Sequence, residues 1–343
     1  VNDSGDIDLI FKVEEKPVQQ FTASVSYNAR DKFVGTLSLI MPNFRGQGEY
    51  LGISFSKGER VTNASLAYTK PWLFDTPLIL GGRIFYDVRE YMGYRKTERG
   101  GAINLGRPIP KLVYTKGFLD YSLTKTKLES QDDTTDKWRS KIVFTLKRDS
   151  RDNPINATAG TYTMLRHVLS GGPLGGEVHF HKYVFETSFY NKLWKELAVM
   201  SLVKIGWVGK LPRGEVPPDE LFSMGGVTQW GLRGYRDYSI GPHVSGSLYG
   251  GKFAFIYTFE LKWVIKQEEM QTIYPLVFFD VGNVWKDIHS VDFTDLYSGA
   301  GIGIRVEIPM MGLIGIDYAY RFRTNDLNPK RKWELHFQMG RRF

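Results

Sequence analysis

From Phe21 to the C-terminus the chain repeats one pattern: about ten residues alternating apolar and polar, then a turn rich in Gly, Pro, Asn or Asp. Phe21, Ala23, Val25 and Tyr27 alternate with Thr22, Ser24, Ser26 and Asn28. Late in the chain Ile302, Ile304, Val306 and Ile308 alternate with Gly301, Gly303, Arg305 and Glu307. Ile314, Ile316, Tyr318, Tyr320 and Phe322 alternate in the same way with Gly315, Asp317, Ala319 and Arg321. Neighbouring side chains on a strand point to opposite faces, so each segment has one apolar and one polar face. About sixteen such strands fit the chain, and no amphipathic helix interrupts them. Two stacked sheets or one closed sheet would satisfy this period. The polar faces favour closure, because they hold isolated charges beside glycines, as a crowded lumen would. The expected fold is therefore all-β: an antiparallel transmembrane β-barrel of about 16 strands, with a soluble all-β protein as the alternative on periodicity alone. Closure also removes the unpaired edges that lipid does not tolerate.

Composition fits this reading. Mean hydropathy is −0.28 and 14% of residues are aromatic. No apolar run approaches the roughly 18 residues of a membrane helix, whereas barrel strands place only half their residues in lipid. Short connections (Pro42–Gly48, Pro71–Thr76, Asn191–Lys195, Pro309–Gly312) contrast with longer polar ones (Gln131–Lys137, Gly209–Gly251, Trp285–Tyr297, Arg323–Arg331). That contrast predicts one rim of turns and one rim of loops. Trp72, Trp194, Trp230, Trp285 and Trp333 lie near strand ends, where an amphipathic ring suits the membrane interface. The net charge of +8 reads as a solvated mixture of signs, with attraction to lipopolysaccharide as the functional version. No dense basic run interleaved with stacking aromatics is present, so no nucleic-acid partner is expected. Cysteine is absent, which excludes disulfides, thiolate metal sites and cysteine nucleophiles.

The longest connection carries glycines at unusual density, Gly225-Gly226, Leu232-Arg233-Gly234-Tyr235 and Gly241-Pro242, with Trp230, Tyr235 and Tyr238 among them. That composition suits a packed, shaped loop with a long cation at its tip. Strand parity puts Glu260 on the lumen face of 252–263, opposite Phe253, Phe255, Tyr257, Phe259, Leu261 and Trp263. It likewise puts Phe278, Asp280 and Gly282 on the lumen face of 272–284. A buried guanidinium requires a carboxylate partner. Arg233 is thus expected to fold inward and pair with Asp280, Glu260 or both. Parity fixes the face but not the depth, so Lys252, Lys262 or Arg305 could take those acids instead.

These residues also carry a resemblance. Gly225-Gly226, Leu232–Tyr235 and Ile240-Gly241-Pro242 resemble the sixth extracellular loop of the outer-membrane protein-assembly and two-partner-secretion superfamily; Leu232 stands where that family has valine. Phe278–Trp285 resembles its thirteenth strand, whose aromatic and aspartate receive the loop arginine, and Arg151-Asp152-Asn153-Pro154 resembles a characteristic turn. His336–Phe343 is similar to its C-terminal strand signal, and Asp8–Glu15 to the close of the last periplasmic POTRA domain. Asn43–Gly48 and Leu80–Tyr86 are most similar to the BamA family, the central insertases of the β-barrel assembly machine in Gram-negative outer membranes.

The resemblance implies residues 1–18 as the tail of a POTRA domain or a linker, and 19–343 as the barrel with loop 6 at about 209–251. It implies an integral outer-membrane insertase that folds nascent barrels at a weak seam between its first and last strands. The seam strands would carry Phe21, Ala23, Val25 and Tyr27 on one side and Trp333, Leu335, Phe337, Gly340 and Phe343 on the other. Gly340 would weaken pairing or allow a kink. The implied partners are unfolded outer-membrane proteins, accessory assembly lipoproteins and outer-membrane lipid or lipopolysaccharide. A two-partner-secretion or TamA-type translocation barrel is the alternative, and a passive porin a more distant one. No enzyme, cofactor, metal or catalytic residue is expected: no serine nucleophile elbow is present. Of His167, His179, His181, His243, His289 and His336, only His179 and His181 share a strand face, and isolated histidines are the simpler reading of the pair.

Overall fold

The computed structural model describes residues 19–28, 32–91, 93–130, 133–154, 156–244, 247–248, 250–266, 272–308 and 312–340. Sixteen antiparallel strands form one sheet that curls into a nearly closed barrel. They are β1 Gln20–Asn28, β2 Lys32–Phe44, β3 Glu49–Gly58, β4 Val61–Lys70, β5 Ile79–Tyr91, β6 Tyr94–Pro108, β7 Thr115–Ser130 and β8 Thr134–Asp149. The second half comprises β9 Gly160–Ser170, β10 Phe180–Trp194, β11 Leu197–Lys210, β12 Phe253–Trp263, β13 Thr272–Trp285, β14 Tyr297–Ile308, β15 Gly312–Arg321 and β16 Trp333–Gly340. A two-residue segment, Ile265–Lys266, prolongs β12 along β13. Residues 1–18, expected as a POTRA tail or linker, and Phe343 lie outside the described residues.

Side-chain exposure follows the period. On β12 Phe255, Tyr257, Phe259 and Trp263 face outward while Ala254, Ile256, Thr258, Glu260 and Lys262 are buried within. Asp317, Ala319 and Arg321 are buried on β15, opposite exposed Ile316 and Tyr318. One band of apolar side chains thus rings the outside, and charges are confined to the lumen and the rims.

The rims differ from the sequence expectation in one respect. Loops 171–179, 211–252, 286–296 and 322–332 do share a rim, but at the same rim only two or three residues separate β1 from β2, β3 from β4, β5 from β6 and β7 from β8. This rim therefore carries the longer connections only over β9–β16; over β1–β8 the longer ones, 45–48, 71–78 and 109–114, are at the other rim. The expected loop Gln131–Lys137 is mostly strand, because β7 and β8 rise past the apolar band with polar residues on both faces, which hides their period. At the other rim, Leu112, Val113 and Tyr114 belong to the β6–β7 turn and are exposed, and β7 starts at Thr115. Two of the tryptophans assigned to the interface are buried instead: Trp285 lies under Phe293, and Trp230 packs edge-on against Phe222 at 5.1 Å inside the barrel.

Candidate functional site: the inward-folded loop and the seam

The 211–252 loop enters the lumen and brings its own core. Phe222, Met224, Trp230, Leu232, Tyr235 and Ile240 are buried against lumen-facing Phe180, Val184, Val208, Ala254, Ile256 and Val284. Backbone bridges between Met224 and Ile240 and between Phe222 and Gly251 fold the segment back on itself. Its tip lies against the wall: Gly234 has φ +94°, and a Cβ on Gly299 of β14 would stand 2.2 Å from the Arg233 carbonyl oxygen. Only glycine permits that approach.

Arg233 sits in this contact, buried. Its Nε and Nη2 donate to the two carboxylate oxygens of Asp280, each at 2.7 Å, and its backbone N–H donates to Asp280 Oδ2 at 3.1 Å. Nη1 donates to Glu260 Oε1 at 2.7 Å, and the guanidinium carbon lies 3.5 Å from the centroid of the Phe278 ring. A fork-shaped cation with one bidentate acid, a second acid and an aromatic face is a strong arrangement, because each N–H has a fixed direction. The structure brings together Arg233, Glu260, Phe278 and Asp280. Two of the alternative partners are engaged elsewhere: Arg305 forms a bidentate pair with Asp317 at 2.8 Å, and Lys262 binds Asn156 Oδ1 at 3.0 Å and the Ala157 carbonyl. The latter contacts fold the β8–β9 turn, which contains Arg151–Pro154, under the lumen.

The rest of the motif is equally tied. The Gly234 N–H donates to His336 Nε2 on β16 at 2.9 Å, and the Tyr235 hydroxyl donates to the Ser298 carbonyl at 3.0 Å. Leu232 is fully buried in the loop core. Neither His336 nor Asp317 was assigned to the site from sequence; both sit on lumen parity, which was the available signal.

A second anchor was also missed. Asp219 receives a bidentate pair from Arg139 of β8 at 2.7 and 2.9 Å and an ion pair from Lys96 of β6 at 2.8 Å. Glu220 meets Lys141 of β8 at 3.5 Å and Lys182 of β10 at 3.3 Å, with Glu98 bridging to Lys96 at 3.0 Å. The loop therefore spans the lumen from the β6–β10 wall to the β12–β15 wall. Burial by itself would raise both carboxyls. Attraction by Lys96 and Arg139 on Asp219, and by Lys141 and Lys182 on Glu220, outweighs it and holds both below the usual carboxylate range. A depressed folded-state pKa gives stability that is full above the unfolded value, near 4, and lost as pH falls through the folded one. Melting of the barrel followed by tryptophan fluorescence should thus be insensitive to this anchor from pH 8 to 5. It should weaken below about pH 4, and an Asp219→Asn/Glu220→Gln variant should lose that acid limb.

At the seam the described residues of β1 and β16 share one registered pair, Asn28 opposite Gln338, against nine between β1 and β2 and eight between β15 and β16. Phe21, Ala23, Val25 and Tyr27 have no registered partner on β16 among the described residues, nor do Trp333, Leu335, Phe337 and Gly340 on β1. Among the described residues, one edge of each strand is therefore without a registered partner along most of its length. Tyr27 and Phe337 meet across the gap with ring centroids 5.8 Å apart. Gly340 ends β16 opposite Leu313. Among the described residues no group of three or more His, Cys, Asp or Glu is placed to hold a metal.

Comparison with known proteins fits this geometry. The chain is 28% identical to the outer membrane protein assembly factor BamA of Nitratidesulfovibrio vulgaris, over 98% of this chain and 43% of that protein. It is 27% identical to a sorting and assembly machinery component 50 homolog of Xenopus tropicalis, over 72% of this chain and 53% of that protein. It thus spans about half the length of these curated relatives. The crystal structure of BamA from Haemophilus ducreyi lacking POTRA domains 1–3 superposes with a TM-score of 0.80 at 20% identity, covering 95% of this chain and 70% of that one. CdiB from Escherichia coli superposes with a TM-score of 0.65 at 13% identity, over 96% of this chain and 63% of that one. With the Omp85 superfamily domain matched over residues 43–343, the chain belongs to that superfamily, as an integral outer-membrane barrel.

Proposed function

We propose that this barrel folds and inserts nascent outer-membrane β-barrel proteins at the β1–β16 seam. The observation that carries the reading is the single registered pair between the described residues of those strands. An open edge offers a row of N–H and C=O groups, and an incoming strand can add to it. The active element is backbone, so the reading requires no cofactor and no catalytic residue. Unfolded outer-membrane proteins are the substrates in it, in keeping with the name of the BamA relative, an outer membrane protein assembly factor; accessory assembly lipoproteins and outer-membrane lipid are further partners in this reading. A two-partner-secretion barrel, suggested by the CdiB likeness, or a porin would pass material through the lumen. Here the loop core and the β8–β9 turn occupy part of that lumen, which disfavours a passive porin.

The test uses the absence of cysteine. An Asn28→Cys/Gln338→Cys pair places two thiols at the registered position with no competing thiol in this chain. Oxidation should block insertion of a client barrel into vesicles, and reduction should restore it. Full insertion with the disulfide formed would rule out the seam mechanism.

A further inference from the structure

The outward face of β5–β8 has a feature that strand addition does not use. Gly82 on β5 and Gly101 on β6 lie on the lipid face, and a Cβ added at Gly82 would meet nothing within 4 Å. A shallow groove runs over them between Ile84, Ile103, Tyr121 and Leu123. Ile84 is 61% and Ile103 56% exposed, so these walls face the membrane. Toward the rim that bears the long loops, the apolar band gives way on β6 and β7 to cations, flanked by outward Tyr86 of β5 and Trp138 of β8. The next outward residues are Arg99 on β6 and Lys125 on β7, directly opposite each other across the strand pair. Like charges in that position repel. Asp136 reaches Lys125 at 3.1 Å, and the Lys125 ammonium lies 6.0 Å from the centroid of the Trp138 ring. Arg99 has no acidic partner among the described residues. The face thus offers an uncompensated guanidinium, a lysine beside it, and an apolar trough directly below.

We propose that this face holds one lipopolysaccharide molecule, with a phosphate between Arg99 and Lys125 and an acyl chain in the groove over Gly82 and Gly101. The charge arrangement calls for an anion at the interface, and the trough calls for a chain attached to it. Arginine and lysine at a membrane boundary can also simply extend toward water. That reading gives no preference among lipids, whereas a built site does. The proposal rests on the chain being a membrane barrel and is independent of its insertion activity.

The test is native mass spectrometry of the folded barrel, titrated with purified bis-phosphorylated rough lipopolysaccharide and, separately, with phosphatidylglycerol and with dephosphorylated lipid. One lipopolysaccharide should be retained per barrel. Arg99→Ala/Lys125→Ala should weaken retention about tenfold, the loss of charge-assisted contacts to one phosphate. Gly82→Leu, which fills the trough, should weaken it with the cations intact, and dephosphorylated lipid should bind the wild type as poorly as the double variant binds the parent lipid. The dephosphorylated arm needs no substitution, so it decides the matter even where a variant does not fold. Equal retention by wild type and variants, or phosphatidylglycerol held as tightly as lipopolysaccharide, overturns the assignment. Client insertion, measured on the same preparations, reports separately on the seam.

Discussion

Arg233→Ala should destabilise the barrel by about 3–5 kcal/mol in urea titrations followed by tryptophan fluorescence in lipid vesicles, the usual cost of removing one member of a buried ion pair. The substitution leaves Asp280 and Glu260 in the lumen, both nearly inaccessible to water. Arg305 cannot compensate, since it is committed to Asp317. Arg233→Lys should recover little: one ammonium cannot reproduce the bidentate contact to Asp280, the contact to Glu260 and the flat packing on Phe278. Adding Asp280→Asn to Arg233→Ala should cost less than the sum of the single changes, because the second substitution removes the charge that the first left unpaired. If Arg233→Ala unfolds like the parent while Asp280→Ala does not, the pair is not what holds the loop.

The lumen arrangement was partly legible because parity on a strand is strict. Once 252–263 and 272–284 are read as strands with apolar residues outward, Glu260 and Asp280 can only face in. Arg233 is the cation at the tip of the glycine-rich loop that directly precedes them. Depth was not legible. Nothing in the spacing says that Asp317 and His336 stand level with Arg233, since that depends on the stagger of β15 and β16. Asp219 and Glu220 were missed for a related reason: their four cations come from β6, β8 and β10, far away in sequence and unremarkable singly. The tall strands β7 and β8 were clipped because the alternation they show in lipid vanishes where Lys125, Lys127 and Lys137 stand clear of it. The sparse pairing at the seam was not legible either; the resemblance implied the two strands but not that their described residues would share one registered pair.

The second anchor leads to the other large effect. Arg139 is fully buried, and its bidentate contact to Asp219 ties the loop to β8, while Arg233 ties it to β12 and β13 on the far wall. The loop is thus a strut between the two halves of the sheet, and those halves meet again only at the weak seam. Arg139→Ala leaves Asp219 with Lys96 alone, so its cost should fall near the lower end of the range for broken buried pairs, about 3 kcal/mol. It should also act at a distance. Any widening of the seam moves the halves relative to each other, and the strut resists that motion. In the Asn28→Cys/Gln338→Cys background, Arg139→Ala should slow spontaneous disulfide formation several-fold, because the two strands spend less time in register; a conservative Arg139→Lys should do so less. Combining Arg139→Ala with Arg233→Ala should slow it little further, since a strut freed at one end no longer ties the walls, although the two losses of stability should add. Disulfide rates that ignore Arg139 while stability falls would make the second anchor a local brace and leave the seam governed by its own strands.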